Sequence, residues 1–200
     1  MQREHPLWRT RQNGGVKLLV AAHASELTAF EADIPGFERL LTGVGKIPAA
    51  SALTRALCQG EYDEIVVVGT AGAIDDAVEG GIYDIAGAIQ HDVKGLDGTF
   101  GEHVSLPPRV DTGHDGLVIA TGDHFVDDAQ TVALIRGLGA PLVDMESYAL
   151  IWVAQQFGVP IRILRAVSDR AQDGATELWD VVVERCSHQL RDEFRTRYGV

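Results

Sequence analysis

The sequence predicts an α/β fold, a single domain in which a mainly parallel central sheet is flanked by helices. Three observations point to it. Continuous apolar runs of strand length, VKLLVAA from Val16, EIVVVG from Glu64 and IRILRAV from Ile161, read as strands buried on both faces. Stretches with apolar residues every three or four positions alternate with them and read as helices. The segment from Leu142 to Asp169 combines both patterns: an apolar run ending in Asp144, Met145 and Glu146, a helical pattern stopped at Gly158 and Pro160, and a second apolar run ending in Ser168 and Asp169. In an open parallel sheet the carboxyl ends of the strands line one crevice, so Glu146 and Asp169 are expected at the same edge of the fold. Two carboxylates there suggest chemistry.

At 200 residues and 46% hydrophobic composition, the chain suits one globular domain able to exclude water from a site. The net charge of -12 argues against a sequence-independent nucleic-acid binder, which needs Lys and Arg to neutralise phosphates, and against an anionic membrane surface. A small neutral or cationic ligand fits better. Cys58 and Cys186 are far apart and form no CxxC pair, so neither a disulfide framework nor a thiolate metal site is indicated, and a reducing cytoplasm is expected. Residues 1–15 mix charged and polar groups without an apolar core and read as a flexible leader, with the domain over 16–200. No stretch has the length of a membrane span.

In chain order, the run from Val16 is the first central strand. Ser25 follows as an N-cap candidate, and Leu27, Phe30 and Ile34 recur at helical spacing up to Pro35 and Gly36. Glu26 then sits in a first helical turn just past a strand end, where its local reading is a partner of the helix dipole. FERLLTGVGKIPAASALTRALCQG gives a short strand, a glycine turn and a helix. Its glycines fail both phosphate-binding patterns, because Pro48 stands where G-x-G-x-x-G needs its third glycine and Leu40 where G-x-x-x-x-G-K needs its first. After the run in EIVVVG come Gly69, Thr70, Ala71 and Gly72, which read equally as room for a ligand or as a tight turn. GGIYDIAGAIQHDV gives another strand, and residues 94–116 read as a long loop. His91, His103, His114 and His124 have no metal-ligand spacing, and no metal is expected. LVIATGDHFVDDAQTVALIRGL gives a strand, a polar turn and a helix, with Asp127 and Gln130 spaced as a capping box and Phe125 in the turn. The last helix repeats Leu178, Val182, Cys186, Leu190 and Phe194 on one face.

Five blocks now carry a resemblance. GVGK at 43–46, VVVGTAGAI at 66–74, GDHFVDD at 122–128, VDMES at 143–147 and RAVSD at 165–169 resemble, in this order, the nucleoside phosphorylase and nucleosidase superfamily, and within it the methylthioadenosine/S-adenosylhomocysteine nucleosidase branch. The similarity runs from about Val16 into the C-terminal helix. It implies cleavage of the N-glycosidic bond of a purine nucleoside through an oxocarbenium-like transition state, without a cofactor, by a homodimer. Asp169 would protonate purine N7, and Glu26 would orient and deprotonate water. Glu146 would accept hydrogen bonds from the ribose hydroxyls over Met145. Phe125 would stack on the base and the backbone of Val126 would read its edge. Thr70, Ala71, Gly72, Val44 and Trp179 would complete the substrate site. Phosphorylases of the superfamily carry an arginine at the position of Val67, so hydrolysis is expected here. The competing readings are phosphorolysis, futalosine hydrolysis and a non-catalytic purine-binding module on the same fold.

The chain also departs from that pattern. The segment between Glu26 and Gly43 and the loop after His91 are short, which reduces the rim of the pocket. Asp144 stands for a usual glutamate. His23 stands near a usual apolar contact to the 5'-alkylthio group; it either favours a polar 5' end or faces away.

Overall fold

The apolar runs become strands as expected, in a sheet that is mainly but not purely parallel. In the computed structural model, residues 15–171 and 179–200 are described; the leader expected over 1–15 falls outside them apart from Gly15, as does Leu178. The order is β1 (Lys17–Ala21), a 3-10 turn (Ala24–Leu27), β2 (Phe37–Leu41), α1 (Lys46–Gln59), β3 (Ile65–Ala73), β4 (Ile82–Gln90), β5 (Arg109–Asp111), β6 (Leu117–Thr121), α2 (Ala129–Gly137), β7 (Leu142–Asp144), α3 (Ser147–Phe157), β8 (Ile161–Asp169) and α4 (Trp179–Tyr198).

The sheet is mixed: parallel pairings predominate, as expected, but three of the pairings among the described residues are antiparallel. β1 pairs parallel with β2 and β3, β3 with β8, and β6 with β4 and β7; the pairs β3 with β7, β4 with β5 and β4 with β8 are antiparallel. The reason lies in the long strands. β3 offers Ile65, Val66 and Val67 to β1 and then Gly72 and Ala73 to β7. β4 offers Ile82, Tyr83 and Asp84 to β8 and its remaining length to β6. The pairings therefore close from β3 through β8, β4, β6 and β7 back to β3, a barrel-like ring that removes those strand edges. β7 and β8 run in opposite directions within it, so Glu146 and Asp169 do not meet as carboxyl ends of parallel neighbours. They meet because the ring brings the end of β7 against the end of β3, beside the end of β8.

Helices cover both faces. α1 and α3 pack Leu53, Leu57, Leu150 and Ile151 against Leu18, Val20, Val67 and Ile163, while α4 packs Cys186, Leu190 and Phe194 against Leu19, Val66, Val68 and Leu164. α2 places Val132 and Ile135 beside Ala120 and Val143. Among the described residues, no helix is long and apolar enough to cross a membrane.

Several local expectations shift for visible reasons. Leu27, Phe30 and Ile34 are buried on the α4 side, yet only one 3-10 turn forms, because the Ala29 N–H is taken by Ser187 Oγ of α4 at 3.1 Å. Its cap is His23, not Ser25: the imidazole accepts from the Ser25 N–H, and Glu26 reaches back to the His23 N–H. Asp128, not Asp127, caps α2 through the Thr131 N–H. The long loop contains β5, and β3 continues through Gly69–Gly72 in place of a turn, with a register shift against β8 between Ala71 and Gly72.

Candidate active site

β1, β3, β7 and β8 converge on a pocket lined by Glu26, Val44, Thr70, Ala71, Gly72, Phe125, Val126, Met145, Glu146 and Asp169, with Ala22, His23, Ser25, His124, Val143, Asp144 and Ser168 completing the wall. Every candidate residue from the sequence whose side chain is described is there. Trp179 opens α4, but its side chain lies outside the described residues. His23 is among the residues that line the pocket and is exposed.

Glu26 is buried, at 6% exposure, and held from three directions. Its Oε2 accepts from the N–H groups of Ala22 and His23 at 2.9 and 3.0 Å, and its Oε1 from the Thr70 N–H at 3.0 Å. The carboxylate thus ties the exit of β1 to the middle of β3, in an orientation fixed by backbone. Gly69 makes this possible. A Cβ there would stand 2.7 Å from Glu26 Oε1 and would collide with the Arg165 guanidinium. The small residues of GTAG therefore leave room for functional side chains to lie across a continuing strand.

Asp169 ends β8, half-buried. Its Oδ2 accepts from Ser168 Oγ at 2.7 Å and its Oδ1 from the Ala171 N–H at 2.8 Å. Ala171 is held in a left-handed conformation, φ 47°, which is costly for a residue with a side chain and marks a constrained turn beneath the carboxyl group. Gly72 of β3 faces this group: a Cβ there would lie 3.2 Å from Asp169 Oδ1.

Glu146 follows β7 and is 5% exposed. Its Oε1 accepts from the Gly45 N–H at 2.9 Å, and its Oε2 lies 3.6 Å from Arg165 Nη2. Gly45 caps α1 with φ 101°, a left-handed conformation that glycine adopts at little cost, and this turns its N–H toward the carboxylate. Burial, with the charge of Asp144 adding, pushes the Glu146 carboxyl up to about 7, although Arg165 and the Gly45 N–H pull the other way.

The sequence did not reveal Arg165 or the hub around it. The Arg165 side chain is 1% exposed and bonds Asp144 Oδ2 and Ser147 Oγ. Asp144 also accepts from Thr121 Oγ1 at 2.7 Å, from the Ser147 N–H at 3.0 Å and from Ser147 Oγ at 2.6 Å. An arginine inside the apolar run IRILRAV was the available signal, since a buried cation requires carboxylate partners. Phe125 also lines the pocket and is 52% exposed, beside buried Val126. Among the described residues no group of three or more His, Cys, Asp or Glu could hold a metal ion.

The family model of the phosphorylase superfamily matches residues 40–117 and 102–196. The chain belongs to the phosphorylase superfamily. Among superfamily relatives, the 5'-methylthioadenosine/S-adenosylhomocysteine nucleosidase of Geobacillus kaustophilus is 31% identical over 196 residues, covering 86% of this chain and 82% of that protein. The enzyme of the same name from Bacillus licheniformis is 30% identical over 176 residues, with 76% of each chain covered. Among solved superfamily structures, the Helicobacter pylori 5'-methylthioadenosine/S-adenosyl homocysteine nucleosidase superposes with a TM-score of 0.79 at 21% identity, over 92% of this chain and 98% of that one. The futalosine hydrolase of the same organism gives 0.80 at 20% identity, over 92% and 97%. The fold is thus common to hydrolases with different substrates.

Proposed function

We propose that this chain hydrolyses the N-glycosidic bond of a purine nucleoside of the methylthioadenosine/S-adenosylhomocysteine kind, releasing the free base. The observation that carries the reading is the gathering of Glu26, Glu146 and Asp169 in one pocket, with Glu26 oriented by three backbone N–H groups. In this reading Asp169 donates a proton to purine N7 as the bond electrons pass to the base. Water adds to C1' of the ribosyl cation, and Glu26 accepts the proton that water loses. Glu146 accepts the ribose hydroxyls above Met145, while Phe125 stacks on the base. Arg165 does not serve as a phosphate site, because Asp144 and Glu146 already neutralise it. The test is base release from a panel of purine nucleosides, followed by absorbance. Release from none of them would contradict the proposal.

A polar 5' substituent forms a second reading of the substrate. His23 is a polar residue among those lining the pocket, and its Nδ1 is engaged by the Ser25 N–H and Oγ, so in this reading Nε2 is the ring nitrogen left for a polar 5' group. A futalosine-like nucleoside belongs in the same panel for this reason.

The raised Glu146 sets a pH dependence with two opposite signs. Ionised Glu146 accepts from both ribose hydroxyls and protonated Glu146 does not, so KM for the nucleoside is expected to fall as pH rises through about 7. Stability moves the other way. The folded state holds this proton more tightly than the unfolded chain, whose value is near 4.5, so its contribution is full below 4.5 and is lost as pH rises to about 7. A KM that is flat across this range would contradict the assigned role.

We also infer a homodimer in a reducing, cytoplasmic setting. Leu41, Val44 and Ile47 are 50%, 50% and 78% exposed, and Val44 lines the pocket, so a second copy covering them would close its open side. Both cysteines are free thiols. A fully active monomer in sedimentation at assay concentration would contradict the dimer.

A further inference from the structure

Outside the pocket, three residues from three distant segments form a closed ring of polar contacts. Lys46 Nζ, in the first turn of α1, donates to Asp92 Oδ1 at 2.6 Å and to Gln90 Oε1 at 3.0 Å. Asp92 Oδ2, just past β4, accepts from the Asp123 N–H at 2.8 Å. Asp123 Oδ1, in the loop between β6 and α2, accepts from the Lys46 N–H at 2.7 Å. The paired Lys46 and Asp92 side chains are only 15% and 16% exposed, so solvent screens them weakly. Burial alone would raise the Asp92 carboxyl, but Lys46 and the Asp123 N–H outweigh it and hold it below the ordinary carboxylate value.

Each end of the ring adjoins a piece of the pocket. Lys46 follows Gly45, whose N–H holds Glu146. Asp123 precedes His124, Phe125 and Val126, which line the pocket. The loop that carries Phe125 has no strand or helix to place it, and the half-exposed ring is not packed in the core. Its start is fixed on two sides. The Gly122 N–H donates to Asp144 O at 3.1 Å, and the buried His91 imidazole lies so close that a Cβ at Gly122 would collide with it.

We propose that Lys46 is a positioning residue for substrate binding: through Asp92 and Asp123 it locks the Phe125 loop in register with the Gly45–Glu146 turn, so that base stacking and sugar binding are set together. The inference rests on the purine nucleoside reading of the pocket. Without the lock, the loop samples positions in which Phe125 no longer faces the base, and the cost falls on binding, not on the chemical step.

The experiment compares wild type with Lys46→Met, Lys46→Arg and Asp92→Asn for nucleoside KM, kcat and adenine affinity by calorimetry, with melting temperature as a control. Lys46→Met and Asp92→Asn are expected to raise KM and the adenine Kd by roughly tenfold, within the range for residues coupled in one network, with kcat changed less than about threefold. Lys46→Arg, which keeps the charge and its donors, is expected to recover most of the loss. In a Phe125→Ala background, Lys46→Met is expected to add little to the adenine Kd. The proposal is overturned if folded Lys46→Met and Asp92→Asn keep wild-type KM and adenine Kd. Full additivity with Phe125→Ala also overturns it. A lower melting temperature with unchanged KM would assign the ring to stability alone and overturn it as well. If wild type itself neither binds adenine nor releases a base, the purine reading fails instead.

Discussion

Asp169→Asn is expected to lower turnover on purine nucleosides by ~10²–10⁴-fold, the usual contribution of a positioned general acid. A purine anion leaves poorly, so proton transfer to N7 as the bond breaks lowers the barrier. Asparagine keeps the shape of the side chain and can still accept from the Ala171 N–H, the contact that Asp169 Oδ1 makes at 2.8 Å. It has no acidic proton to give. Adenine affinity is expected to survive, because Phe125 and the backbone near Val126 are untouched. A nucleoside whose base departs without protonation should lose far less. Measuring both substrates on both proteins separates the cases: equal losses would make Asp169 structural, and no loss would move the acid elsewhere.

Arg165→Met is expected to cost about 3–5 kcal/mol of stability, the range for removing one partner of a buried ion pair. That is a large share of the stability of a typical domain. The guanidinium lies at 1% side-chain exposure against Asp144 at 1% and Glu146 at 7%, so its loss leaves two carboxylates buried without a counter-charge. The loss should deepen with pH. Without Arg165 the Glu146 proton is held still more tightly in the folded state than the value of about 7 in wild type, so the decline in stability continues to higher pH. Denaturant midpoints at pH 6 and pH 8 read this directly. Arg165→Met combined with Asp144→Asn should recover part of the loss, because one buried charge is removed. A midpoint unchanged by Arg165→Met at both pH values would contradict the hub.

How far the sequence carried the structure depends on the range of the interactions involved. The apolar runs, the helix-stopping Gly158 and Pro160, and the acids at strand ends are local signals; they placed most elements and put Glu146 and Asp169 at one edge, while most other candidates of the pocket followed from the resemblance of the five blocks. Strand direction is not local. Nothing in LVD or IRILRAVSD says that β7 and β8 run in opposite senses, because that follows from β3 and β4 each serving two neighbours along their length. The missing helix after Glu26 has a similar origin, since the competing partner of Ala29 is Ser187, 158 residues away. GTAG was ambiguous until Glu26 and Arg165 were seen lying across it. Lys46, Asp92 and Asp123 each look like solvated charges until the fold brings them together.

The reaction itself gives the most direct test of the central claim. Wild-type protein is incubated with a cleavable purine nucleoside in phosphate-free buffer and in buffer with added phosphate, and the sugar product is identified by phosphorus and proton magnetic resonance. The account predicts equal rates of base release and free ribosyl sugar in both buffers, because Val67 replaces the phosphate-binding arginine of the phosphorylases that the sequence resembles and Arg165 is already paired. Base release that requires phosphate, with a sugar 1-phosphate as product, would contradict it.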